Sequence, residues 1–128
     1  MVDALQAAHR AVRPGGAIID LRPDSRHQPR IFQRRIRRGG LAETALAEGD
    51  SAASDRAVTT MVGRGLLRPL RVGHFWYSLR FADRVALDQW LDTSRRLRGY
   101  APGTRAGIDP HIPVVVRRSL AYGIYERV

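Results

Sequence analysis

The sequence predicts an α/β fold: a sheet of three to four strands, helices on its faces, and its last two strands antiparallel. Three observations carry that prediction. A helix, a proline-glycine turn and a short apolar strand follow one another at the N-terminus. Two later segments, 70–81 and 112–125, alternate with the period of two that marks a strand, and helical stripes run at 51–67 and 83–98. At 128 residues and 14.3 kDa the chain has the size of one ordinary domain, and 1–128 is read as one. Its 44% hydrophobic and 27% charged residues exclude a disordered chain, and no run of about 18 apolar residues offers a membrane span.

The first helix is read over 3–12, where Leu5, Ala8 and Val12 share one face among alanines. Arg13-Pro14-Gly15-Gly16 stops it and turns the chain, and the apolar run 17–22 follows with the length of a buried strand. After the polar stretch Pro23 to Pro29, residues 30–43 read as two extended pieces around Gly39-Gly40, a hairpin-like excursion. Asp50-Ser51 offers a cap for the helix 51–67, with Val58, Met61, Val62 and Leu66 at helical spacing. Along 70–81, Phe75, Tyr77, Leu79 and Phe81 fall on one face and Val72, His74 and Trp76 on the other. Asp83 caps the helix 83–98, whose stripe is Leu87, Trp90, Leu91 and Leu97. Gly99 to Pro110 reads as loop, and 112–125 is the clearest alternating strand.

Composition removes several chemistries. All 22 cations are arginine, so neither a P-loop lysine nor a Schiff-base lysine is available, and zero cysteines remove disulfides and thiolate catalysis. No G-x-S-x-G supports a serine nucleophile. His9, His27, His74 and His111 show no i, i+4 pairing, so local spacing assembles no metal site. The net charge of +10 admits two readings, an anionic partner or a coding bias toward arginine.

The stretch Ala4 to Leu21, a helix ending in Arg-Pro-Gly-Gly before an apolar strand, resembles the helix, turn and fifth strand of class I S-adenosylmethionine-dependent methyltransferases. The helix 51–67 and the strands 70–81 and 112–125 are similar in order to the last helix and the antiparallel pair that close that sheet, with 83–98 as an insertion. The resemblance implies a partial Rossmann-like sheet, the C-terminal half of the family fold. In that family S-adenosylmethionine sits on a glycine-rich loop after the first strand and on an acid ending the second, both upstream of the resemblance. The one G-x-G here, Gly63-Arg64-Gly65, ends a helix, so no cofactor residue is carried over and the chain alone is expected to be inactive.

Asp24 and His27, following the carboxyl end of the 17–22 strand, are the substrate-facing candidates, with an ordinary polar loop as the other reading. Asp20, within that strand, calls for a nearby arginine. Arg34, Arg35, Arg37 and Arg38 form the densest basic run, suited either to phosphate binding or to an exposed, aggregation-resistant hairpin. The aromatics Phe75, Trp76, Tyr77 and Phe81 suit a core better than a base-stacking platform. Asp88 and Asp92 are read as solvated. A second class of function, a small arginine-rich module for nucleic acid or another polyanion, therefore stands beside the methyltransferase reading. The open edge of the 17–22 strand is expected to pair with a second copy or with an N-terminal methyltransferase half. The acidic start, Met1-Val2-Asp3, suits no signal peptide and points to the cytoplasm.

Overall fold

A computed structural model of the chain describes residues 2–128. It is α/β, with helices α1 (Val2–Ala11), α2 (Ala45–Gly63) and α3 (Arg84–Asp92). The strands are β1 (Ala17–Pro23), β2 (Arg30–Gln33), β3 (Ile36–Glu43), β4 (Leu67–Phe81), β5 (Arg98–Tyr100) and β6 (Val114–Arg127). A single sheet holds these six strands rather than three or four, in the order β1-β6-β2-β3-β5 with β4 also paired to β6. The pairs β1–β6, β2–β3, β2–β6 and β3–β5 are all antiparallel. No described helix is long and apolar enough to cross a membrane. The chain divides into two compact units, the first Met1–Pro23, Gly49–Phe75 and Leu120–Val128, the second Asp24–Glu48 and Trp76–Ser119.

In the first unit, Ile18, Val58, Met61, Leu67 and Tyr125 form a buried core against Leu5 and Ala8 of α1 and Val12 just past its end. β1 lies antiparallel to β6, Ile19 opposite Ile124 and Leu21 opposite Tyr122. Within β1 Ile18 alone is buried, at 6% exposed, while Ile19 and Leu21 are 71% and 57% exposed, because their side chains leave the face that meets the core. Asp20 has the arginine it needs, Arg22 Nε at 3.2 Å, and Arg22 also reaches Asp55 at 2.8 Å. The cap expected at Asp50-Ser51 is not used. α2 begins at Ala45 because the Thr44 hydroxyl accepts from the Ala47 N–H, and the alanine-rich run 45–53 is helical throughout. It ends at Gly63 instead of 67: Leu66 N–H donates to Met61 O and Gly65 N–H to Val62 O, with Gly65 at φ +70. Leu67 is consequently the buried first residue of β4.

In the second unit the core is Ile31, Leu41, Leu87, Leu91, Ile108, Val114 and Val116, with Leu79, Phe81, Trp90 and Tyr100 against it. The excursion 30–43 is a hairpin, but its turn is Arg34-Arg35, closed by Gln33 opposite Ile36. Gly39 and Gly40 lie inside β3; Gly39 has φ +151, and a Cβ there would meet Thr104 Oγ1 at 2.3 Å, so a close approach and not a turn requires it. Asp83 caps α3 as expected, its carboxylate accepting from the Ala86 N–H at 2.9 Å. The helix stops at Asp92 rather than 98, since Thr93 takes the C-terminal cap and donates its hydroxyl to Trp90 O. The stretch read as loop from Gly99 holds most of β5, paired to β3, and a 3-10 turn at Arg105–Gly107. The last strand spans 114–127 rather than 112–125. Gln33, 1% exposed, fixes the chain before it by donating to Asp109 O and accepting from Asp109 N–H.

Candidate functional site

Asp24 and His27, the two candidates named from their place after β1, are bonded to one another. Asp24 is 7% exposed, and its carboxylate is filled from three directions. Oδ2 accepts from His27 Nδ1 at 2.6 Å and from Ser119 Oγ at 2.7 Å, and Oδ1 accepts from the Arg26 N–H at 3.0 Å. The backbone repeats the link, Asp24 N–H donating to Ser119 O and His27 N–H to Asp24 O. Burial pushes the Asp24 carboxyl up, but hydrogen bonds from Ser119, His27 and the Arg26 N–H, with the charge of His27, outweigh it and hold the group below its ordinary value. The carboxylate therefore stays ionised behind the imidazole.

The consequence for His27 is orientation. A carboxylate on Nδ1 selects the tautomer and turns Nε2 to the opposite edge of the ring, the arrangement by which proteins prepare an imidazole for proton transfer. The ring also meets Trp76 edge-on, centroids 5.7 Å apart. Asp24 and His27 carry ligand types of a metal centre, but Oδ2 and Nδ1 already satisfy one another. Ser119 completes the group from 95 residues away. Sequence reasoning missed it, since nothing local to a serine in an alternating strand announces a partner at that separation.

Trp76 is half-buried and not in the core. The Arg30 guanidinium lies 4.8 Å from its ring centre and that of Arg117 5.9 Å. Phe75 is likewise outside the core, 45% exposed and tilted against Tyr122, whereas Phe81 packs on Trp90. Arg34, Arg35, Arg37 and Arg38 are all exposed on the β2–β3 hairpin, and Arg34 and Arg35 sit at φ +48 and +66. Asp88 is not simply solvated: it accepts from Tyr100 Oη at 2.6 Å and is gripped by Arg105 at 2.8 Å, joining α3 to β5 and the 3-10 turn. The Arg105 bonds outweigh burial and hold its carboxyl below the ordinary value, while burial and the bond to Asp88 push the Tyr100 phenol up.

The glycine pair of the single G-x-G closes α2 and does not join a strand to a helix, so the residues present do not fit an S-adenosylmethionine loop. No protein family, curated protein or solved structure matches the chain.

Proposed function

We propose that the chain is the C-terminal part of an S-adenosylmethionine-dependent methyltransferase-like sheet, with Asp24 and His27 as its substrate-facing, proton-handling pair. The observation that carries this reading is the order of the first unit's strands. β6, the last strand, lies between β1 and β4, and β1 follows α1 through Arg13-Pro14-Gly15-Gly16. That is the neighbour relation the resemblance implies for the fifth strand and the closing antiparallel pair. Among the described residues β1 pairs with β6 alone, which leaves the other edge for the strands of a cofactor-binding half or for a second copy.

The site suits this role because a methyl acceptor must shed a proton as its bond to the methyl group forms. An imidazole held by a buried, ionised carboxylate is a group able to take it. No cofactor residue is assigned to this chain. Calorimetric titration tests the reading: S-adenosylmethionine should give no binding heat with the 128-residue chain and saturable heat with its complex with the polypeptide encoded immediately upstream. Saturable binding to the chain alone, or an upstream polypeptide that neither joins it nor creates a cofactor site, overturns the assignment.

A further inference from the structure

We infer that the outer sheet face of the second unit binds single-stranded nucleic acid, with Trp76 and its two arginines as the base-stacking platform and the β2–β3 turn as a phosphate grip. This inference does not depend on the methyltransferase reading. It begins from strand alternation. Ile31, Gln33, Val114 and Val116 turn inward, which leaves Arg30, Phe32 and Arg117 on the opposite face. Arg30 stands directly across from Arg117 in the ladder, and Phe32 stands across from both Arg37 and Val115. Two like charges at opposed positions oppose folding. Here both guanidiniums lie against the Trp76 ring, 4.8 and 5.9 Å from its centre, which draws them together without neutralising either.

Charge accounting points the same way. Among the described residues, the ion pairs take up Arg22, Arg68 and Arg105, and none involves Arg30, Arg34, Arg35, Arg37, Arg38 or Arg117. Between Arg30 and Ala42 the chain carries no acid at all. The turn adds an independent sign. Both of its central residues have positive φ, the backbone that asparagine and glycine adopt easily and arginine does not. A hairpin selected only for folding would carry Asn-Gly there. Two arginines in that conformation give up stability and set two guanidiniums at the hairpin tip.

The ligand chemistry follows from the pieces. Flat indole and guanidinium surfaces suit the faces of nucleobases, and bases in a duplex have no face exposed, so the strand bound must be single. The unpaired guanidiniums suit its phosphates, with counterion release making the affinity depend on salt. An anionic membrane would be met by charge alone and would make no use of the stack.

Fluorescence anisotropy of a dye-labelled 20-nucleotide single-stranded RNA tests this, with the same sequence as a duplex, heparin, and vesicles of anionic phospholipid as competitors. Trp76→Ala should weaken binding about tenfold or more with little change in salt dependence, while Trp76→Phe, keeping a ring, should retain most of it. Arg34→Asn with Arg35→Gly should lower the slope of log affinity against log salt by about 1.4, two phosphate contacts on a single strand, although the turn itself becomes easier to form. Circular dichroism on each variant separates lost binding from lost fold. Equal binding by Trp76→Ala and parent, an unchanged slope in the turn variant, or competition by duplex, heparin or vesicles as strong as that by unlabelled single strand overturns the inference.

Discussion

Trp76 and Trp90 belong to the same unit and each lies against two arginines, yet they serve different ends. Trp90 packs on Phe81 at 5.4 Å beside the buried Leu87 and Leu91, with Arg98 and Arg118 each 5.6 Å from its ring. Burial and the neighbouring Arg98 charge push the Arg118 guanidinium below its ordinary value, the mark of a cation partly withdrawn from water. Around Trp76 the arginines are exposed, and the ring is not among those packed on the buried cluster. The same pair of residue types makes a seal over a core in one place and an open surface in the other. What distinguishes them is the element that carries the ring: Trp90 belongs to α3 and packs with it on the buried cluster, whereas Trp76 belongs to β4 and lies outside that cluster.

Removing core packing on the Trp90 side should show the largest effect. Leu87 is fully buried, and Leu87→Ala should cost about 2–5 kcal/mol in urea denaturation, with Trp90→Ala costing about 3 kcal/mol. Trp76→Ala should cost under about 1 kcal/mol in the same experiment, because its ring is not packed on the buried cluster. Equal losses at the two tryptophans would erase the distinction.

Next in size is Asp24. Asp24→Asn should destabilise by about 2 kcal/mol, since Ser119 and His27 lose a charged acceptor. The folded carboxyl titrates below its ordinary value of 3.8, so its contribution is complete above that value and disappears as the pH falls from there through the folded one. Acid titration of stability should accordingly be shallower in the variant below about pH 4. Parallel acid profiles for parent and variant would deny Asp24 its role. The smallest effect is a gain: Arg34→Asn with Arg35→Gly should raise stability by about 1 kcal/mol in thermal or urea unfolding. A loss would mean that the arginines support the turn.

Much of the layout was legible because it rests on local patterns. The helix before Arg13-Pro14, the alternation ending in Phe81, the Asp83 cap and the Asp24–His27 proximity all involve residues within a few positions of one another. The errors came where a local signal answered to a distant partner. Gly39-Gly40 looks like a turn, but Gly39 is small to admit Thr104, and the true turn carries the residues least suited to it. The start of α2 is hidden because the cap is Thr44, while Asp50 is already the sixth residue of an alanine-rich helix. Trp76 reads as core from its own strand because its arginine neighbours come from β2 and β6, which no window around 76 includes.

The lone pairing of β1 has a signature of its own in amide hydrogen exchange. Arg127 N–H donates to Gly16 O, and the register of β1 on β6 continues from that pair, so the even residues Ile18, Asp20 and Arg22 direct their backbone groups into the ladder. Ile19 and Leu21 direct theirs outward, to the edge that pairs with no described strand. Protection along β1 should therefore beat with a period of two, slow at 18, 20 and 22 and fast at 19 and 21. A strand arriving on that edge would slow the odd positions and level the beat, so five amides report, residue by residue, whether this sheet has found its neighbour.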